Sequence, residues 1–111
     1  MLISSINHGV PNPVGMTEDF QSFWNKLPSY QFKTVAQRVR RLAFGHKGDA
    51  HQCYTGNARV SIYELRIRSR PGLRAYFSTV GGRPLILCGG TKSTQRRDLQ
   101  KAIGLLQAHR E

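Results

Sequence analysis

Two stretches of alternating apolar and charged residues constrain the fold of this chain most. They cover residues 63–68 and 73–77, and a short apolar run over residues 85–88 follows a Gly-Gly turn. Alternation bounded by turn residues is typical of half-buried strands, so we predict three strands of an antiparallel meander. The Pro71-Gly72 pair between the first two strands predicts a type II turn, because proline presets φ and glycine tolerates φ > 0.

The alternation assigns side chains to the two faces of this sheet, because successive side chains of a strand point to opposite sides. One face takes the apolar side chains Tyr63, Leu65, Ile67, Leu73, Ala75 and Phe77. The other face, which we expect to be open, takes Tyr76 and the charged residues Glu64, Arg66, Arg68 and Arg74. Such arginines are either the solvated side of a half-buried sheet or, with an aromatic among them, a platform for nucleic acid.

The charge of the chain favours a polyanionic partner. Its 111 residues include 17 Lys and Arg against 6 Asp and Glu, which gives a formal net charge of +11. RNA, DNA and an acidic protein all fit such a field, with nucleic acid the leading class. A membrane surface fits less well, because the basic residues are spread over several segments and do not line one long amphipathic helix.

Cysteine and histidine usage indicates a cytoplasmic protein without a metal site. Cys53 and Cys88 are far apart, and the sequence has neither a secretory signal nor a transmembrane run, so we expect reduced thiols. His46, His51 and Cys53 form a loose group that lacks a Cys-x-x-Cys pair and a fourth ligand, so we predict no metal and no cofactor. Either histidine can accept a proton near neutral pH, although most loop histidines have no chemical role.

The N-terminal residues predict an arm followed by one domain. We assign residues 1–16 to an N-terminal arm or edge strand and residues 17–111 to a single domain, which suits the length of the chain. Residues 2–6 are a weak strand candidate. The prolines and glycines of residues 9–15 predict a loop.

Two amphipathic helices are predicted next. Thr17 is a suitable N-cap for the first, whose apolar stripe is Phe20, Phe23, Trp24 and Leu27. Ser29 is a suitable cap for the second, whose apolar stripe is Phe32, Val35, Val39 and Leu42. The opposite side of the second helix is basic and includes Arg41. This side is either a solvated surface or an extension of a phosphate-binding surface.

A glycine-rich segment follows the last predicted strand and precedes a third helix. It has the sequence Gly-Gly-Thr-Lys-Ser-Thr over residues 89–94, and the apolar stripe that follows is Leu99, Ala102, Ile103 and Leu106. Glycines allow close backbone approach, and free amides at a helix start favour an anion, so one interpretation places a phosphate beside Lys92. The other is a simple strand-to-helix connection. The segment lacks the frame of a Walker A loop.

Several of these segments together resemble a known family. Glu-Leu-Arg at residues 64–66, Pro-Gly-Leu-Arg-Ala-Tyr-Phe at 71–77, Leu-Cys-Gly-Gly-Thr-Lys-Ser-Thr-Gln at 87–95, and Asp98 are similar to the HigB-like "addiction module killer" branch of the RelE/ParE toxin superfamily. The resemblance extends over about residues 17–106. It implies an α+β, RelE-like fold in which two N-terminal helices pack on a small, mostly antiparallel sheet of three to four strands, with a C-terminal helix.

The resemblance also implies a function. Members of this kind are toxins of type II toxin–antitoxin systems, commonly ribosome-dependent mRNA endoribonucleases (mRNA interferases) that need no metal, inhibit translation and arrest growth. The implied partners are the ribosome, mRNA and a cognate antitoxin, which we expect to be a HigA-like helix-turn-helix protein. The main rival function is ParE-like inhibition of DNA gyrase without nuclease chemistry, and a third is non-catalytic RNA binding.

Three basic residues carry the implied chemistry. Arg66 and Arg74 match the basic positions on the sheet face, and Lys92 matches the basic position after the last strand. In this chemistry the ribose 2′-OH attacks the adjacent phosphate, and fixed cations stabilise the transition state. The predicted RNA contacts are Arg68, Arg70, Tyr76, Ser93, Thr94, Arg96 and Arg41, and His51 is the candidate for proton transfer. Leu73 and Thr91 depart from the pattern, since relatives often have tyrosine and aspartate there.

Overall fold

The computed structural model describes residues 2–3, 13–46, 50–56 and 58–110 and has an α+β fold. Its elements in chain order are β1 (Leu2–Ile3), β2 (Val14–Met16), α1 (Glu18–Asn25), α2 (Ser29–Ala43), β3 (His51–Gln52), β4 (Tyr63–Ile67), β5 (Leu73–Val80), β6 (Arg83–Thr91), a 3-10 turn (Lys92–Thr94) and α3 (Gln95–Arg110). None of the helices in these ranges has the length and apolar content that a membrane span requires.

The six strands form one sheet in the order β1-β2-β6-β5-β4-β3. Strands β4, β5 and β6 are the predicted antiparallel meander, which is confirmed. The sheet is nevertheless larger than the three to four strands that we predicted. Strands β1 and β3 have only 2 residues each, so they show no periodicity, and they form because a neighbouring strand offers backbone partners.

Strand β2 corrects the prediction of a loop over residues 9–15. Val14 and Gly15 belong to a strand that pairs parallel with β6 and leads directly into α1. Val14 and Met16 are 0% and 4% exposed, so this part of the predicted arm contributes to the core. Three residues after a proline carry no readable pattern, and the pairing with β6 stabilises them. Residues 9–12 of the predicted loop, and residues 4–6 of the strand candidate, lie outside the described residues.

The sheet separates two hydrophobic cores. The first, under α1 and α2, contains the face predicted to be apolar: Leu65, Ile67, Leu73, Ala75 and Phe77 are all buried there. The second lies under α3 and joins Tyr76, Leu87 and Cys88 to the predicted stripe of that helix. The face that we expected to be open is therefore partly covered. An amphipathic helix must bury its apolar stripe, and this sheet face offers the apolar partner.

The turn between β4 and β5 is not the predicted type II turn. Such a turn needs a positive φ at its third residue, and Gly72 does not have one; the Arg70–Pro71 peptide bond is cis. The carbonyl oxygen of Arg70 accepts hydrogen bonds from the Tyr30 hydroxyl and, at 3.4 Å, from Gln31 Nε2. The N-terminal turn of α2 therefore holds this turn in place.

Helix α2 differs from its predicted apolar stripe at one position. Val35, Val39 and Leu42 are buried as expected, but Phe32 is 37% exposed. The Phe32 ring stacks on Trp24 with 4.8 Å between the ring centroids, so it packs on α1 beside the core. Aromatic contacts of this kind need only one ring face, which leaves the other face in solvent.

Thr17 joins β6 to α1 through its side chain. Its hydroxyl oxygen accepts a hydrogen bond from the Phe20 amide at 3.1 Å and donates one to the Leu87 carbonyl group of β6. We expect Thr17→Ala to lower the free energy of unfolding by about 1–2 kcal/mol, because it removes the N-cap of α1. Urea denaturation measures this loss, and Thr17→Ser should retain most of the stability. Equal midpoints for Thr17→Ala and the wild type would contradict this role.

Candidate functional site

Arg66 and Arg74 are direct cross-strand partners on the sheet face that α3 packs against. On its other side Arg74 pairs with Gly90 of β6, which offers no side chain to shield it. Opposed residues of an antiparallel pair have their Cβ atoms about 4.5–5.5 Å apart, and like charges in this position repel each other. The two guanidinium groups therefore form a strongly positive patch that a bound anion would stabilise.

The two arginines differ in how the protein holds them. Arg66 Nε donates to Glu64 Oε1 at 3.2 Å, while the Arg66 side chain remains 51% exposed. Arg74 is only partly exposed, and within the described part of the chain its buried Nε finds no hydrogen-bond acceptor. A buried donor without a partner costs about 1–3 kcal/mol, so it is an exception that calls for an explanation. A ligand that accepts a hydrogen bond from Arg74 Nε would provide the missing partner.

Glu64 is the acceptor at the centre of this patch. Its buried carboxylate accepts hydrogen bonds from Arg66 of β4, from the Tyr76 hydroxyl of β5 at 3.3 Å, and from Gln95 Nε2 of α3. Burial, together with the negative charge of Glu64, raises the pKa of the Tyr76 phenol above its ordinary value. Tyr76 therefore stays protonated and donates to this carboxylate.

The prediction that Tyr76 contacts RNA is wrong. The side chain is 0% exposed, because it lies beneath α3 in the second core. The period of the strand placed Tyr76 on the correct face of the sheet, but no local pattern showed that α3 covers this position.

The glycine-rich segment is a strand-to-helix connection, and its predicted phosphate cradle is already filled. A Cβ atom on Gly90 would lie 2.6 Å from Thr94 Oγ1 and 2.8 Å from Asp98 Cγ. The Thr94 hydroxyl accepts from the Thr91 amide at 3.2 Å and donates to the Asp98 carboxylate. The Thr94 hydroxyl is thus engaged in the capping box that starts at Thr91, and its contact with RNA stays a prediction.

Most of the predicted site residues lie at one end of the sheet. Lys92 follows Thr91, which pairs with Leu73 at the start of β5. This end, which we call the basic end, comprises Arg66 and Arg74 together with the exposed residues Arg68, Arg70, Lys92 and Arg96. Ser93 is exposed beside Lys92, and its hydroxyl lies 2.9 Å from that of Thr91. The basic end offers positive charge from both strands of a hairpin and from the α3 connection.

Two predicted residues occupy other positions. Arg41 lies on α2, on the opposite side of the sheet and about 18 Å along the helix from its start at the basic end. There it lines a separate groove with Arg40, Phe44 and His46, so it does not join the site. His51 is exposed on the edge strand β3 as the cross-strand partner of Glu64. Glu64 and Arg66 are neighbours on the same face of β4, so His51 lies one cross-strand pair away from Arg66. His51 therefore stays a candidate for proton transfer.

Sequence reasoning missed the supporting residues Glu64, Gln95 and Asp98. Glu64 was expected on the arginine face, but as one more solvated charge. Its role depends on the pairing of β4 with β5 and on the docking of α3. The only signal in the sequence was that Glu64, Gln95 and Asp98 all fall within the motif segments.

Both cysteines sit in surroundings that suppress their reactivity. Burial raises the pKa of the Cys53 thiol to about 11, with the charge of Glu64 adding to the shift, and raises that of Cys88 to about 12. Because the thiolate is the nucleophile, we expect Cys53 to react with iodoacetamide at pH 8 about 100-fold more slowly in the native protein than in urea. Mass spectrometry of the alkylated chain measures both rates. Equal alkylation rates in the native and the unfolded protein would contradict the burial of the Cys53 thiol.

Known proteins resemble this chain at two levels. No family model matches it. An uncharacterized protein of Haemophilus influenzae is 38% identical over 93 residues, which cover 82% of this chain and 89% of that protein.

Among solved structures, a mutant of the E. coli toxin RelE in the free state, with two arginines replaced by alanine, is similar with a TM-score of 0.61. The two sequences are 13% identical, and the match covers 81% of this chain and 90% of the RelE chain. At this identity the similarity concerns the fold. The chain therefore belongs to the same family as the Haemophilus influenzae protein, and its fold is RelE-like.

Proposed function

We propose that this protein is the HigB-like toxin of a type II toxin–antitoxin system and that it cleaves mRNA on the ribosome. The observation that carries the proposal is the cross-strand pair of Arg66 and Arg74 at the basic end. The RelE-like fold and the net charge of +11 support it, because both suit a small protein that acts on RNA.

The proposed chemistry follows from the placement of the cations. The ribose 2′-OH loses its proton and attacks the adjacent phosphorus, and the bond to the 5′-oxygen breaks. The 5′-oxygen takes a proton from solvent water, and a cyclic phosphate and a 5′-OH result. Arg74, whose Nε has no acceptor within the described residues, contacts the non-bridging oxygens with Lys92. Guanidinium groups suit this role because they bind phosphate with two parallel hydrogen bonds. His51 is the proposed proton acceptor.

A toxin of this kind needs a partner that silences it. We propose a cognate, HigA-like helix-turn-helix antitoxin that covers the basic end with acidic side chains, since a positive surface of this density favours an acidic partner. Cytoplasmic location and action on ribosomes follow from the same proposal. The chemistry uses only side chains of the protein and no metal.

Brief induced expression tests this proposal against its rivals. We expect growth arrest within one generation and new 5′ ends inside translated mRNAs, mapped by primer extension. The same lysates should supercoil plasmid DNA normally. Loss of gyrase activity without new RNA ends would favour the ParE-like alternative, and RNA binding without new ends or arrest would favour a non-catalytic protein.

A further inference from the structure

One buried carboxylate connects three elements around the arginine pair. Glu64 Oε1 accepts from Arg66, and Glu64 Oε2 accepts from Tyr76 and Gln95. The Glu64 side chain is only 5% exposed. Burial of an ionised group is costly unless donors surround it, and here strands β4 and β5 and the first turn of α3 each provide one.

We propose that Glu64 is a positioning residue that holds the Arg66 guanidinium beside Arg74 in the orientation that an RNA phosphate requires. This inference rests on the proposed function, since it assigns a role within the same site. Through Gln95 the carboxylate also links that orientation to the start of α3, three residues after Lys92. Glu64 thus contacts β4 and β5, which carry Arg66 and Arg74, and the start of α3, which follows the turn that carries Lys92.

The geometry argues against a direct chemical role for Glu64. Both of its oxygens already accept hydrogen bonds, and its burial leaves no room for a ribose hydroxyl. Its negative charge instead offsets the repulsion between the opposed guanidinium groups of Arg66 and Arg74. A hydrogen bond to Nε also fixes the plane of the Arg66 guanidinium, so its remaining nitrogen atoms keep one direction.

Glu64→Gln tests this role, because an amide has one acceptor atom in place of two and presents N–H groups to three donors. We expect kcat for mRNA cleavage to fall by about 10- to 100-fold, with KM changed less, because a misplaced group loses transition-state contact. Glu64→Asp keeps the charge and should recover part of the rate. Glu18→Gln, at an exposed position on α1, makes the same change in net charge and should leave kcat unaltered.

A double-mutant cycle separates positioning from a merely structural role. In an Arg66→Ala background, Glu64→Gln should change kcat by less than about threefold, because its effect passes through Arg66. An equal loss in both backgrounds would overturn the proposal. Urea denaturation of each variant shows that the proteins compared are folded.

Arginine Nε–H signals in ¹⁵N NMR test the proposal without any activity measurement. The Arg66 signal, assigned by its loss in Arg66→Lys, should be ordered in the wild type and should become mobile in Glu64→Gln. A mobile Arg66 side chain in the wild type would overturn the positioning role. An ordered Arg66 in a wild-type protein that does not cleave mRNA would instead reject the proposed function and leave the Glu64–Arg66 contact intact.

Discussion

Replacing Arg74 by alanine is expected to lower the rate of mRNA cleavage by about 100- to 1,000-fold, the range for loss of one preorganised donor to transition-state charge. The reason is that Arg74 lies between Arg66 and the bare Gly90, with its Nε lacking an acceptor within the described residues. An Nε–H group without a partner in the described part of the protein can donate to the phosphorane-like transition state, beside the positive charge of the guanidinium. Single-turnover cleavage by purified protein on translating ribosomes measures the loss.

Two controls show that this loss is local. Arg83→Ala removes the same charge at the opposite end of the sheet, where Arg83 pairs with Val80, and should leave the rate unchanged. Arg74→Lys keeps the charge without the two-pronged contact, and we expect an intermediate rate. Stability should change little, because the substitution also removes an unpaired buried donor. If folded Arg74→Ala and Lys92→Ala proteins both cleaved mRNA at the wild-type rate, the assignment of the site would be wrong.

Replacing Gly90 by alanine is expected to destabilise the fold by about 2–4 kcal/mol, which combines overpacking with the disturbance of a buried hydrogen bond. The added Cβ would meet Thr94 Oγ1 at 2.6 Å and would overlap the Asp98 carboxylate. Asp98 is 4% exposed and its carboxylate accepts a hydrogen bond from Thr94, so it cannot move away without losing this hydrogen bond. The midpoint of urea denaturation should fall accordingly.

Gly104 provides a matched control for this prediction. It lies on the exposed side of α3, and a Cβ added there meets nothing within 4 Å. Gly104→Ala should therefore stabilise the protein by about 0.5–1 kcal/mol through helix propensity. The two glycine substitutions thus have opposite expected signs. A Gly90→Ala protein as stable as the wild type would show that the carboxylate does not fill this space.

The sequence predicted the parts of the fold that depend on local periodicity. Alternation in β4 and β5 assigned Leu65 and Arg66 to opposite faces correctly, and helical spacing identified the buried residues of α3. It did not reveal β2, since a strand of 3 residues is stabilised by its pairing with β6 and not by its own pattern. Nor did it show that α3 covers Tyr76, because local spacing does not determine which sheet face a helix packs on.

The cations of the candidate site could be predicted from the sequence, but the residues that orient them could not. Arg66 and Arg74 could be placed together because strand register follows from a short hairpin. Glu64 looked like one more solvated charge, but its burial and its hydrogen bonds from Arg66, Tyr76 and Gln95 show it to be a buried acceptor. The glycines suggested an anion site, whereas the space beside Gly90 holds Asp98 of the protein itself. Tertiary contacts decide such positions, and no pattern along the chain records them.

Mapping the RNA ends produced in a reconstituted translation system tests the central proposal most directly. With wild-type protein we expect new 5′-OH ends on a translated mRNA, none on the same RNA without ribosomes, and a loss of about 100-fold or more with Arg74→Ala. An mRNA that stays intact during translation, or ends that appear equally fast with Arg74→Ala, would contradict RNA cleavage by the arginine pair.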